Sequence, residues 1–241
     1  MARIWGEPAW VLHSRDYGES SQIVELLTYH HGRVNALARG VKRIRRAGRL
    51  DVLTRWIVAW SGREGQLATL TSADRQGIPL RLEGVALWAG FHINDLILRM
   101  TGQYDPIMGV YDRYSEAVTA LESEPPARVV CLFERDLLVR LGYGLNLTED
   151  VDLHQPIDPD ARYFFDPLSG ARRADTMEGW SVKGASLLDL AQGRLDDRRS
   201  LEEARRLLAL VYDAHLGPDT LRVRRWVETL MQFSGQMGRR S

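Results

Sequence analysis

Residues 39–49 read RGVKRIRRAGR, which puts Arg39, Lys42, Arg43, Arg45, Arg46 and Arg49 within eleven positions with no acidic residue among them. Cations at this density repel one another unless a polyanion meets them. The chemistry they can do is phosphate neutralisation, each contact releasing a condensed counterion. Gly40 and Gly48, near the ends of the segment, let the backbone drape along a ligand. Of the 32 basic residues only Lys42 and Lys183 are lysines. The rest carry the planar, multi-donor guanidinium suited to phosphate. Arg15, Arg33 and Arg55 lie on neighbouring segments and extend the candidate DNA-binding set.

Other chemistry finds little support. There is no Walker-type phosphate loop, no GxGxxG after a strand, no GxSxG elbow and no HExxH. His30 and His31 are adjacent, so in a strand they point to opposite faces. Without a third ligand they read as polar residues at a hairpin end. Asp150, Asp152, Asp158 and Asp160 sit in a proline-containing linker without a calcium-loop glycine pattern, and read as a solvated loop. Cys131, the only cysteine, lies among Val129, Val130, Leu132 and Phe133 and reads as a small buried hydrophobe. It allows no internal disulfide and no thiolate metal cluster. No catalytic, metal or cofactor residue is expected.

The elements that must hold the basic segment follow from periodicity. Residues 9–13, 23–29, 34–39, 52–60 and 66–72 read as strands, with turn signals at Asp16-Tyr17-Gly18 and Gly32. The basic segment is the connection between the third and fourth. In the fourth, Trp56, Val58 and Trp60 share one face. Five short strands in about 70 residues suit a small closed barrel, since closure removes exposed edges; an SH3-like barrel is possible on this ground. Trp10, Trp56 and Trp60 have two readings. Aromatic faces beside a basic groove are what single-strand binding uses, while large aromatics also fill cores.

After Pro79 the period becomes helical. Leu82, Val85, Ala86, Ala89, Ile93, Leu96, Ile97 and Met100 mark a first helix. Asp105-Pro106 reads as cap and first position of a second, reaching about Leu121. A third spans about residues 128–141 and is closed by Gly142. Tyr163-Phe164-Phe165, the turn at residues 166–170 and Ala171-Arg172-Arg173 read as a hairpin. Ser200 with Glu203 forms a capping-box signature for a later helix ending at Gly217-Pro218, and a last helix is expected over about residues 219–233.

The 241 residues carry 32 basic and 32 acidic side chains, yet the neutral sum hides an asymmetry. Residues 1–82 hold 13 basic against 7 acidic side chains, the remainder 19 against 25. A neutral total therefore does not exclude an anionic partner for the first part. The longest stretch without Asp, Glu, Lys or Arg, residues 84–94, is far shorter than the ~18 residues of a membrane span. The N-terminus has no apolar signal core, because Gly6, Glu7 and Pro8 interrupt it. A cytoplasmic, nucleoid-associated protein is expected.

The residues also carry a family likeness. AWVLHSRDYGESSQIVELLT at 9–28, HGRV at 31–34 and ARGVKR at 38–43 closely resemble the N-terminal signature of the bacterial recombination mediator RecO family. LFERDLLVRLGYGLNL at 132–147 resembles its second marker, and HINDLIL at 92–98 its first-helix pattern. The resemblance implies an α+β chain: an OB-fold DNA-binding domain at 1–80, a helical bundle at 81–146, a zinc-ribbon-like insert at 147–183, and C-terminal helices at 184–241 packing on the bundle. Family members often carry four cysteines in that insert. Here they are absent, so the hairpin must be held by packing and no metal is expected.

The resemblance further implies a function without covalent chemistry. RecO-like proteins bind single- and double-stranded DNA, anneal complementary strands, and bind the acidic, hydrophobic C-terminal tail of single-stranded-DNA-binding protein (SSB). With RecR, and in some pathways RecF, they help load RecA onto coated strands in recombinational DNA repair. Arg128, Arg135 and Arg140 on the third helix are the candidates for tail binding, against the reading of ordinary surface arginines. The alternative is a protein-interaction adaptor whose helical part carries the function, with DNA contact incidental.

Overall fold

The computed structural model describes residues 2–40, 49–174 and 179–217. These fall into two compact units, one ending at Glu122 and one beginning at Ser123. In the first, β1 (Ala2–Tyr17), β2 (Ser21–Thr28), β3 (Gly32–Ala38), β4 (Arg55–Gly62) and β5 (Ala68–Arg75) close into a barrel in the order β1-β2-β3-β5-β4. All pairings are antiparallel except the closing one, where Ala36 lies beside Ala68 and Leu37 beside Thr69 in parallel. That is the five-stranded OB arrangement, not an SH3-like one.

One strand is far longer than its periodicity suggests. β1 has 16 residues, whereas the apolar run covers only 9–13. Gly6, Glu7 and Pro8, which read as an interruption, lie inside it. A register shift between Ile4 and Glu7, with Gly6 at φ +66°, is a bulge whose left-handed residue favours glycine. A second shift falls between Val11 and His13. These bends let one strand serve two neighbours, β4 along its first half and β2 along its second.

Inside, Ala9, Val11, Val24, Leu26, Val34, Ala36, Leu50, Trp56, Val58, Trp60 and Ala68 form the buried core. Small alanines alternate with large indoles in filling it. Trp10, Trp56 and Trp60 are all buried, so their core reading holds and the stacking reading does not.

Two helices belong to the same unit, α1 (Gly84–Met100) and α2 (Val110–Ala120). Asn94 Nδ2 donates to the Leu12 carbonyl at 2.8 Å, the Tyr114 hydroxyl donates to Asn94 Oδ1 at 2.6 Å, and Trp10 Nε1 donates to Ser115 Oγ at 2.7 Å. A buried, fully paired chain of this kind fixes both helices on β1. α2 begins at Val110, not at Pro106. The Tyr104 amide donates to the Arg33 carbonyl and Gln103 bridges Arg33, so the chain before α2 is tied to β3 through a turn with Tyr104 at φ +56°. A Cβ on Gly32 would meet the Asp105 carbonyl oxygen at 2.5 Å, and only glycine permits that approach.

The second unit contains α3 (Pro126–Arg140), β6 (Arg162–Asp166), β7 (Gly170–Arg173), β8 (Val182–Lys183), α4 (Gly184–Gln192) and α5 (Arg198–Leu216). Pro126 starts α3 at its first turn, where its missing N–H costs nothing. α5 packs on α3 and α4, and Tyr212 donates to the Glu134 carbonyl at 3.0 Å. The expected hairpin is present as β6 and β7, with β8 on the other side of β6. α4 lies in the stretch 184–241 where the family likeness implies C-terminal helices, but no periodicity of its own marks it.

Two local readings are corrected. The cap of α5 is Asp197, which accepts from the Ser200 amide at 2.9 Å. Glu203 accepts from the Lys183 amide instead, so Ser200 and Glu203 are not a capping box. Asp150 is not a solvated loop residue. It is buried and accepts from the amides of Asp152, Leu153 and Arg173 at 2.8–2.9 Å. The helix expected over 219–233 lies outside the described residues.

Candidate nucleic-acid interface

The basic segment leaves β3 at Arg39 and returns to the barrel at Arg49. Its central cations, Lys42, Arg43, Arg45 and Arg46, lie outside the described residues. The two ends are anchored close together. β2 pairs Gln22 with Ala38 on one side and with Asp16 on the other, and Arg49 donates to Asp16 Oδ1 at 2.9 Å. Arg49 also lies 3.9 Å from Asp51.

Alternation decides what surrounds these ends. Arg15, Ile23 and Leu37 are direct neighbours across β1, β2 and β3, and Tyr17 faces Ser21 one row further. Two-residue periodicity puts Arg15 with Tyr17 on the outer face, and Arg39 follows β3 in the turn just after Ala38. Arg15, Tyr17 and Arg39 are exposed, Tyr17 at 54%, and Arg15 and Arg39 make no ion pair among the described residues. An aromatic ring flanked by free guanidinium groups is a stacking platform beside phosphate contacts. Tyr17 was missed because Asp16-Tyr17-Gly18 reads as a turn; its position on the outer face appears only once the length of β1 is known.

The other candidate arginines are placed elsewhere. Arg33 pairs with Glu25 at 3.3 Å, the two side chains only 12% and 18% exposed, so its charge is largely spent within the barrel. Arg55 is exposed on β4 and with Arg75 lines a separate cleft of about 320 Å³, floored by Trp10, Leu53 and Leu80. The Arg75 guanidinium sits 5.1 Å from the Trp56 ring centroid. That cleft offers a second cationic position, and Arg75 was not singled out by its sequence context.

On α3 the three arginines have internal partners. Arg128 pairs with Glu124 at 2.6 Å and with Asp196 at 3.4 Å. Arg135 donates to the carbonyls of Leu190 and Ala191 at 2.7 and 3.3 Å. It thereby caps the C-terminal end of α4, where a cation is favoured by the helix dipole. Arg140 donates to the Asp136 carbonyl at 3.3 Å and is exposed. Among the described residues no cluster of three His, Cys, Asp or Glu could hold a metal ion, and no helix is long and apolar enough to cross a membrane.

Comparison with known proteins bears on this geometry. Residues 1–76 match the model described as Recombination protein O N terminal, and residues 81–225 the one described as Recombination protein O C terminal. The DNA repair protein RecO of Halorhodospira halophila is 41% identical over 230 residues, covering 93% of this chain and 97% of the relative. The chain belongs to the RecO family. The DNA repair protein RecO of Nitrosococcus oceani is 38% identical over 237 residues, 96% of each chain, and that of Coxiella burnetii 36% over 225 residues, 92% of this chain and 97% of the relative. The barrel end with Arg15, Tyr17, Arg39 and Arg49 falls in the RecO N-terminal region, and the α3 arginines in the RecO C-terminal one.

Proposed function

We propose that this RecO-family DNA repair protein binds single- and double-stranded DNA at the barrel end that carries Arg15, Tyr17, Arg39 and Arg49, together with Lys42, Arg43, Arg45 and Arg46 of the connecting sequence. It anneals complementary strands without covalent chemistry and helps load RecA onto SSB-coated single strands. The observation that carries this reading is the convergence of free cations and an exposed tyrosine where the six-cation segment leaves and re-enters the barrel. Annealing requires one surface to neutralise two phosphate backbones together, and a dense patch of guanidinium groups does that while leaving base edges free to pair.

The expected protein partners are the acidic SSB tail, RecR and, in some pathways, RecF, with RecA reached indirectly in the cytoplasm. For the tail, exposed Arg140 is the best-placed of the three α3 arginines, since Arg135 is engaged in holding α4. Strand annealing on SSB-coated DNA tests the reading. Wild type should accelerate annealing, and the variant with Lys42, Arg43, Arg45 and Arg46 all changed to Ala should lose most of that acceleration while keeping its fold. Equal rates for both would overturn it and favour the adaptor alternative.

A further inference from the structure

The histidine pair at the β2–β3 turn has no part in the interface above, yet it sits in an unusual setting. Tyr111 packs edge-on against Tyr29 with ring centroids 5.2 Å apart, Tyr29 against His30 at 4.7 Å, and His31 against Trp60 at 5.3 Å. Glu7, buried, holds His30 by accepting from its backbone amide at 2.6 Å and meeting Nδ1 at 2.9 Å. The amide of His31 donates to the Thr28 hydroxyl at 3.1 Å. The turn is therefore rigid, and its rings are held at steep angles to one another. Trp60 is buried, so the ring surface left for a flat ligand is that of the two histidines, which the edge-to-face contacts cover only in part.

A cleft of about 290 Å³ opens there, with His30, His31, Trp60 and Tyr104 among its walls and Arg63 and Glu64 at the β4–β5 turn. Its size lies at the lower end for small-molecule sites, enough for one planar heterocycle and too small for a folded peptide segment. The Tyr104 hydroxyl donates to the Gln66 carbonyl at 3.2 Å, which ties this ring to the same turn. Arg63 offers a guanidinium to a phosphate, and the Glu64 carboxylate can accept from exocyclic amino groups.

We propose that this cleft captures a single unpaired nucleobase of a bound DNA strand, with Arg63 on an adjacent phosphate. The proposal rests on the DNA-binding reading above and deepens it. The cleft and Tyr17 lie at opposite ends of β2, whose eight residues span roughly 23 Å at ~3.3 Å per residue. They are two separate base contacts on one barrel.

The test compares the full chain binding an oligothymidylate and an abasic strand of equal length, which carries the same phosphates without bases. Wild type should prefer the strand with bases. His31→Ala should reduce that preference by about 5-fold or more, as expected when one base loses its aromatic partner, and His31→Phe should restore it. Arg63→Ala should weaken both strands equally. A preference unchanged in His31→Ala, with the variant folded, would overturn the cleft while leaving the DNA interface standing. Failure of wild type to bind either strand would overturn the DNA-binding reading itself. A 4-thiothymidine strand should photocrosslink to residues 29–31 or Tyr104; crosslinks confined to Tyr17 would also overturn the proposal.

Discussion

Arg49 donates to Asp16 across 2.9 Å, both side chains about half exposed, and this contact ties the returning end of the basic segment to β1. An exposed pair of this kind contributes only about 0–1 kcal/mol to stability. Its larger effect is on ligand binding, because Asp16 spends one cation of the interface and places a negative charge beside it. Asp16→Ala should leave the melting temperature nearly unchanged and tighten DNA binding by roughly two- to fivefold at low salt. A titration at low ionic strength checks this, and weaker binding would place the strand elsewhere.

Tyr17 is expected to stack on a base, not to hydrogen-bond it. Tyr17→Phe should bind single strands like wild type, and Tyr17→Ala should lose about 5- to 100-fold in affinity. The salt dependence should be the same for all three, since no phosphate contact is removed. A changed slope in Tyr17→Ala would show instead that the ring positions Arg15 or Arg39.

The strand runs and the helices α1, α2, α3 and α5 were legible because apolar periodicity reports burial directly. The two-residue alternation of Trp56, Val58 and Trp60 was correct, but alternation alone does not say which face is inward. Closure of the barrel decides that, and it turned the three tryptophans from candidate stacking platforms into core. The full length of β1 was hidden because its apolar run starts at Ala9, whereas Gly6 marks a bulge and Pro8 a strand position beside β4. α4 was hidden by its nine-residue length. Asp150 looked like a surface acid because its three amide donors come from loop and β7 backbone, which no side-chain pattern encodes. The basic segment needed no fold to be recognised, whereas Tyr17 and the cleft at His31 required strand register.

Asp150 lies buried in the insert, and a carboxylate pin of this kind makes that region acid-sensitive. Burial pushes its pKa up, but the amide bonds from Leu153, Asp152 and Arg173, with the Arg173 charge, outweigh this and hold it below the ordinary carboxylate value. Its contribution is therefore complete above the unfolded value of about 4 and is lost as pH falls through the lower folded value. Amide exchange should show residues 150–173 losing protection in acid. Asp150→Ala should lose it already at neutral pH, with about 1–3 kcal/mol for a buried donor left unpaired. An acid profile identical in the two proteins would contradict this account.

The chain from Leu12 through Asn94 to Tyr114 should be the polar contact that matters most for placing the helices on the barrel. Asn94→Ala strands the Leu12 carbonyl and the Tyr114 hydroxyl, at about 1–3 kcal/mol for each buried group left unpaired. The urea midpoint should fall at unchanged m-value. A midpoint within error of wild type would mean that water replaces the amide.

The central claim is that phosphates are met by the segment between Arg39 and Arg49. Its most direct test is the slope of log affinity against log salt for a single strand. Six contacts give about −4, and changing Lys42, Arg43, Arg45 and Arg46 together to Ala should make the slope shallower by about 3. The same slope in the folded four-residue variant would contradict the account and move the DNA to another face.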